Sequence, residues 1–161
     1  MKLAHLFATR SSFGPTILRI GLAATMFPHG AQKVLGWFGG YGLSGTMGAF
    51  TGTMHIPATL AALAIATEFL APIALFFGLF TRFAALALAV NITVAAILGG
   101  HFANGFFMNW FGNQKGEGIE YHLLMATAGL ALFVLGGGRL ALDSVVARML
   151  GGGYCACCHE E

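Results

Sequence analysis

Ionisable and amide side chains interrupt the long apolar stretches of this chain, where a charge is costly unless it has a partner or a function. They are Arg19, His29, Lys33, Glu68 and Asn91. Glu68 is the carboxylate nearest the middle of such a stretch. A buried carboxylate is stabilised by a partner or takes up a proton. The set therefore indicates polar groups inside the apolar stretches, which either hold a proton or a ligand or only fix the packing.

Two prolines strengthen this expectation. Pro28 removes the backbone hydrogen bond to the carbonyl of Ala24 and is expected to kink a helix next to His29. Pro72 removes the bond to the carbonyl of Glu68 itself. Glu68 thus combines a buried carboxylate with a freed backbone acceptor, and we expect a polar pocket around it.

The sequence does not decide which residue is the partner of Glu68. Arg19 could form an ion pair with it across a helix interface, and His29 or Asn91 could form a hydrogen bond with it. Polar pairs between apolar helices often only fix how the helices pack. A purely structural role for Glu68 and Arg19 therefore stands beside a ligand or proton role.

The chain ends in a compact group of soft metal ligands behind three glycines. They are Cys155, Cys157, Cys158 and His159. A C-x-C spacing suits Cu(I) or Zn(II), and a second copy or a partner protein would complete the coordination. The alternatives are a tail without fixed structure and cysteines that carry lipid. Since all three cysteines lie here, no disulfide is expected within the apolar segments.

The composition predicts a membrane protein. Of 161 residues, 57% are hydrophobic and only 9% are charged, and the mean hydropathy is +0.79. A soluble domain carries about a quarter charged residues. The net charge of +2 forms no basic patch, so no nucleic-acid partner is expected. The first apolar run stops at Arg10, too short for a signal peptide, and the first long segment is expected to act as an uncleaved insertion signal.

Four segments approach the roughly 20 apolar residues that a membrane-spanning helix needs. They are residues 14–35, 58–80, 82–100 and 120–137. Pro57 suits a helix start, Thr81 is expected to cap the third segment, and many Ala and Gly residues allow close packing. We expect an all-α fold, an integral membrane four-helix bundle over residues 14–143. Residues 1–13 would form a cytoplasmic N-terminal segment, and 144–161 a cytoplasmic tail.

The loops and charges predict the orientation of this bundle. Residues 36–57 and 101–119 are rich in aromatic side chains, as at a membrane interface, and lie on one side. The side with the termini carries more basic residues, namely Lys2, Arg10, Arg82, Arg139 and Arg148, against Lys33 and Lys115 opposite. By the positive-inside rule both termini are cytoplasmic. The expected location is a bacterial inner (plasma) membrane, crossed several times.

From about Leu18 to Asp143 the chain resembles the DoxX family of four-helix membrane proteins. One stretch is LRIGLAATMFPHGAQKVLGWFGG, which contains Arg19, His29, Gly30 and Lys33. A second is ATEFLAPIALFFGLFTRFAAL, with Glu68, Gly78, Thr81 and Arg82. The others are AVNITVAAILGGHFANGFFMNW and GEGIEYHLLMATAGLALFVLGGGRLALD. The resemblance implies a four-helix membrane bundle.

The resemblance also implies a function class. Relatives occur as subunits of quinone-linked oxidoreductases, including thiosulfate:quinone oxidoreductase, and in membrane complexes linked to redox defence. The polar positions of the family fall here on Arg19, His29, Lys33, Glu68, Arg82 and Glu120. The apolar segments contain no CxxC and no haem-type histidine pair. Electron chemistry is therefore expected to use a diffusible quinone or a partner subunit.

A quinone site is expected near the outer ends of the helices. A quinone carbonyl accepts a hydrogen bond from His or Lys, and quinone reduction needs protons from groups such as Glu or His. The candidate residues are His29, Lys33, His101, Asn109, Trp110, Glu120 and His122. The loop FANGFFMNWF could cover the quinone ring or simply anchor the chain at the interface.

These observations favour a membrane subunit of a quinone-linked oxidoreductase or respiratory-type electron-transport complex, without deciding whether it is itself catalytic. The expected partners are the lipid bilayer and other oxidoreductase subunits. The alternative is a non-catalytic anchor or assembly subunit that docks a larger enzyme. A carrier of small molecules or ions that uses the Glu68 pocket is less favoured, because the four segments show no inverted repeat.

Overall fold

The computed structural model describes residues 7, 9 and 12–150. In this part of the chain the structure is all-helical, and the expected all-α class is confirmed. The α-helices are α1 (Phe13–Leu35), α2 (Gly42–Gly48), α3 (Ala58–Phe77), α4 (Thr81–Leu98), α5 (Glu120–Leu135) and α6 (Leu142–Met149). Short turns of other helix types cover Trp37–Gly39, Ala49–Thr53 and His101–Asn104.

The four longest helices surround the core. Helix α1 packs on α3, α3 on α4, α4 on α5, and α5 closes back onto α1. Between them lies a cluster of buried apolar side chains that includes Leu22, Met26, Leu75, Leu88 and Leu132. These helices occupy the four apolar segments that the sequence indicated, because only those segments are long enough to bury a stripe along several turns.

Glycines set the closest approaches in this ring. A β-carbon on Gly30 of α1 would lie 2.3 Å from the carbonyl oxygen of Glu68 on α3. A β-carbon on Gly129 of α5 would lie 2.8 Å from the carbonyl oxygen of Ala85 on α4. Both distances are below van der Waals contact, so these two interfaces require a residue without a side chain.

The turn between α3 and α4 differs from the expectation. Helix α3 ends at Phe77, three residues before the expected end, because Gly78 and Phe80 adopt left-handed backbone conformations with φ of 68° and 50°. The expectation that Thr81 caps α4 is wrong. Its Oγ1 is buried and has no hydrogen-bond partner among the described residues. The cap comes instead from Asp143 of α6.

Two helices lie outside the expected segments. Helix α2 lies in the glycine-rich connection between α1 and α3, and α6 extends to Met149, within what was expected to be the tail. Asp143 at the start of α6 is buried. Helix α6 is therefore packed onto the bundle rather than being a simple extension of the chain.

The outer surfaces of the long helices are apolar. Exposed large side chains on α3 and α4 include Leu60, Leu63, Leu70, Val90, Val94 and Ile97. Helices α3 and α4 are long and apolar enough to cross a membrane. Helix α5 is apolar but has 16 residues, and α1 has 23 residues with charged side chains among them. An exposed apolar surface of this extent suits lipid or neighbouring helices rather than water.

Candidate functional site

Lys33, Glu68 and Asn91 meet between α1, α3 and α4. Nζ of Lys33 forms an ion pair with Oε2 of Glu68, and Nδ2 of Asn91 donates a hydrogen bond to Oε1 at 3.1 Å. The side chain of Glu68 is 7% exposed and that of Lys33 is 26% exposed. Both carboxylate oxygens therefore have a partner, and the carboxylate joins three helices. We call these three residues the polar cluster.

The polar cluster lies deep along the helices. Glu68 is about 15 Å along α3 from its first residue, at about 1.5 Å per residue. Lys33 was expected near the outer surface, but its side chain reaches the carboxylate of Glu68 because the long aliphatic part can lie along the apolar helices. The sequence did not indicate Lys33 as the partner of Glu68.

The backbone at Glu68 is also unusual. Pro72 has no N–H to donate to the carbonyl of Glu68. Gly30 lies directly against this carbonyl. The approach of α1 to α3 thus occurs at the freed acceptor, and Gly30 directly follows His29 and precedes Lys33 by three residues. The side chain and the backbone of Glu68 are both part of the α1–α3 contact.

Arg19 is not the partner of Glu68, so that alternative is wrong. Its side chain is buried, with 2% of the residue exposed. Nε donates to the carbonyl of Gly137 at 3.1 Å, and Nη1 donates to the carbonyls of Leu75 and Phe76 at 2.5 Å. The last carbonyls of a helix have no partner within the helix. Arg19 supplies one for the end of α3 and links it to the segment after α5.

Arg82 and Asp143 hold the neighbouring helix ends. Arg82 Nη1 donates to the carbonyls of Phe133 and Val134 near the end of α5. The carboxylate of Asp143 accepts the N–H groups of Phe80 and Thr81 at 2.7 and 2.8 Å, where α4 begins. A carboxylate at this place satisfies donors that the first turn leaves free. We call this end of the molecule, with Arg19, Arg82 and Asp143, the capped end.

His29 and Tyr121 face each other where α1 meets α5. Oη of Tyr121 is 3.5 Å from Nε2 of His29 and 3.3 Å from Sδ of Met26. His29 is exposed on the surface of the chain. Tyr121 was not among the expected site residues, since nothing in the sequence links it to a residue 92 positions away.

His101 and His122 form a second pair, at the end opposite the capped end. Their ring centroids are 4.2 Å apart with an angle of 41° between the rings. Nδ1 of His101 lies 2.8 Å from the carbonyl oxygen of Glu117, and a carbonyl can only accept, so Nδ1 is the protonated nitrogen in this contact. Nδ1 of His122 is buried without a hydrogen-bond partner within the described ranges.

The remaining quinone candidates belong to the connection between α4 and α5. Oε2 of Glu120 accepts the N–H of Met108 at 3.2 Å. Asn109 exchanges two hydrogen bonds with the backbone of Gln114, at 3.0 and 3.3 Å. Trp110 is 81% exposed and points away from the helices. Glu120 and Asn109 thus fold the loop. The ring of Tyr121 lies between the two histidine contacts, with its centroid 6.1 Å from that of His29 and 5.7 Å from that of His122.

Two apolar grooves lie on the helix surfaces. One of ≈ 350 Å³ lies between α1 and α3 and is lined by residues that include Ile20, Phe27 and Phe76. The other, of ≈ 220 Å³, lies between α4 and α5 and is lined by residues that include Val90, Thr93 and Leu130. Neither groove is lined by a residue of the expected quinone set.

The residues that the structure describes contain no group of three or more His, Cys, Asp or Glu side chains placed to hold a metal ion. The expected ligands Cys155, Cys157, Cys158 and His159 lie outside the described residues.

Comparison with known proteins gives one match. A family model described as DoxX matches residues 14–110, which is well over half of the chain. The match contains the complete polar cluster together with Arg19 and His29, and it ends before α5 and Tyr121. No curated protein and no solved structure matches the chain.

Proposed function

Since the chain belongs to the DoxX family, we propose that it is an integral membrane subunit of a quinone-linked oxidoreductase or respiratory-type membrane complex. The family is one of membrane proteins, often associated with oxidoreductase-related functions, so contact with the lipid bilayer follows from membership. One observation carries the rest of the proposal. A carboxylate with a partner at each oxygen lies in the interior of a mostly apolar set of helices.

The proposed topology is a four-helix membrane bundle in a bacterial inner membrane. Helices α1, α3, α4 and α5 each cross the bilayer, and their exposed apolar side chains face lipid. The capped end carries Arg82, with Arg139 and Arg148 in the adjoining segments. By the positive-inside rule this end faces the cytoplasm, with both termini. The connections around α2 and before α5 then lie on the outer side.

The polar cluster is the proposed functional centre of this subunit. An ion pair inside a protein gains less than its desolvation costs unless its geometry and hydrogen bonds are very good. An apolar packing of similar volume would often stabilise the helices as well or better. A carboxylate that can exchange its partner or its proton is useful beside a quinone, whose reduction takes up protons. Proton uptake by the quinone is the proposed reason for a charged cluster inside the bundle.

Quinone binding to the purified protein tests the proposal. We expect decylubiquinone to bind the protein in lipid nanodiscs and expect Glu68→Gln to weaken binding about tenfold. Lys33 is the charged donor of the cluster, and the variant removes the carboxylate that holds its ammonium group in place. Glu117→Gln is the matched control, because Glu117 is exposed and its carboxylate contacts the loop N–H of Asn109. Absence of binding, or equal binding by a correctly folded Glu68→Gln protein, would contradict the quinone role.

The second candidate function is a non-catalytic anchor or assembly subunit. It is favoured by bulky aromatic side chains on the outer connections, of which Tyr41 is 84%, Trp110 is 81% and Phe111 is 90% exposed. Aromatic side chains are common anchors in protein interfaces. If this role is the main one, alanine at Trp110 and Phe111 releases a copurifying enzyme, and Glu68→Gln does not.

For the tail we propose a metal site that a second copy or a partner completes. The measurement is the metal content of the protein with and without residues 155–161, after loading with Cu(I) or Zn(II). A loss of bound metal on truncation supports the site, and equal metal content contradicts it.

A further inference from the structure

The long helices form a ring of four neighbouring pairs. The contact between α1 and α5 is the smallest of the four. Met26 and His29 lie on the α1 side of this contact, and Tyr121 lies on the α5 side. We call this set the α1–α5 seam. A ligand can enter at such a small helix contact without disturbing the close packing at Gly30 and Gly129.

The hydroxyl of Tyr121 has only weak partners in the seam. Its nearest contacts are the thioether sulfur of Met26 at 3.3 Å and the imidazole of His29 at 3.5 Å. A thioether is a weak acceptor, and 3.5 Å is the long limit for a hydrogen bond. Since a phenol among apolar helices gains from a strong acceptor, this hydroxyl is available to an oxygen of a ligand.

His29 presents a second polar group at the same place. It is exposed on α1, one turn away from the exposed Thr25 and the partly exposed Lys33. In a bilayer an imidazole at such a position needs a hydrogen-bonding partner, which lipid tails do not provide. The flexible, polarisable side chain of Met26, which contacts the hydroxyl of Tyr121, suits the face of a flat ring.

The seam leads to the polar cluster. His29 and Lys33 are four residues apart on α1 and therefore lie on one side of the helix. Lys33 is partly exposed while it pairs with the nearly buried Glu68. A ring oxygen held by His29 and Tyr121 would thus lie near the ion pair of Lys33 and Glu68.

We propose that the α1–α5 seam binds the oxygenated ring of a membrane-soluble quinone, which enters sideways from the bilayer. Tyr121 donates to one ring oxygen, His29 contacts the same edge of the ring, and the polar cluster lies behind them. This inference rests on the proposed quinone function and specifies its site. It includes Tyr121, and it excludes Asn109 and Trp110, which lie in the outer loop.

The test compares two seam variants with a matched control in nanodiscs titrated with decylubiquinone. Tyr121→Phe removes only the hydroxyl, and we expect it to weaken binding about five- to tenfold, the effect of one lost hydrogen bond. His29→Gln is expected to weaken binding to a similar extent. Tyr41→Phe, on the exposed outer connection, is expected to bind like the wild type. Thermal unfolding of each variant shows that the fold is kept.

A photoreactive azidoquinone gives a second, independent readout. Labelling of peptides that contain Met26–Lys33 or Tyr121–Met125 supports the seam, and labelling confined to residues 102–111 overturns it. Equal affinity of all variants with tight wild-type binding also overturns the seam but leaves the quinone function intact. A wild-type protein that binds neither probe overturns both.

Discussion

Lys33 and Glu68 form an ion pair in which the two side chains are buried to different extents. Glu68 is nearly buried, whereas part of Lys33 still reaches the surface. Asn91 satisfies one carboxylate oxygen and carries no charge, so Lys33 alone supplies the compensating charge within this cluster. Removing the cation leaves a buried anion, which costs more than the pair contributes when intact.

Lys33→Met is therefore expected to lower the free energy of unfolding by about 3 kcal/mol at neutral pH. The double variant Lys33→Met with Glu68→Gln should recover most of that loss, because no buried charge remains. The free energy of unfolding of each variant is measured in bicelles by steric trapping. Strictly additive losses would show that the two side chains do not interact.

Tyr121 shows why the site was only partly predictable from single residues. Glu68, Asn91, His29 and Lys33 are recognisable because polar side chains in apolar segments are rare. Which of them pair is decided by the rotation and depth of each helix, and these follow from tertiary packing. Tyr121 is an ordinary interfacial residue in sequence, so only the contact between α1 and α5 shows that it faces His29.

The helices are held together by close backbone contacts at the α1–α3 and α4–α5 interfaces and by caps at one end. The expected helices were found because composition and length identify apolar segments well. The cap of α4 was missed because its donor-satisfying carboxylate, Asp143, lies 62 residues beyond the helix start. Local rules pointed instead to Thr81. A helix start whose free N–H groups are hydrogen-bonded by a distant segment cannot be identified from the local sequence.

Gly30→Ala tests the approach of α1 to α3. The added β-carbon would lie 2.3 Å from the carbonyl oxygen of Glu68, so the helices must separate. We expect a loss of about 1–3 kcal/mol in the free energy of unfolding. Gly21→Ala in the same helix is the matched control, because nothing lies within 4 Å of its β-carbon position. Similar stability of the two variants would contradict this packing.

Asp143→Ala tests the cap that α6 places on α4. Loss of the carboxylate leaves the N–H groups of Phe80 and Thr81 unsatisfied, which costs about 1 kcal/mol. Hydrogen exchange should therefore accelerate at the start of α4. Ser144→Ala is the control, since its hydroxyl bonds only to the carbonyl of Ala141 next to it. Unchanged exchange in Asp143→Ala would show that α4 does not need α6.

The whole molecule has two chemically different ends. The capped end fixes helix termini with Arg19, Arg82 and Asp143. The opposite end carries the aromatic connections and the histidine pair, and the polar cluster lies between the ends. The proposed orientation places the capped end in the cytoplasm.

The native cysteines report this orientation, because all three lie after residue 154. A membrane-impermeant maleimide should label intact spheroplasts only after permeabilisation. In a variant without these cysteines, Gln114→Cys on the outer connection should react without permeabilisation. The reverse pattern would place both termini outside and would contradict the orientation.

Native purification tests the central claim most directly. The protein would be isolated from its own membranes in a mild detergent, and the copurifying proteins and extracted quinone would be identified by mass spectrometry. We expect an oxidoreductase subunit and bound quinone with the wild-type chain, and the same partner with less quinone when Glu68→Gln replaces it. A pure protein with neither partner nor quinone would contradict a role in a quinone-linked complex.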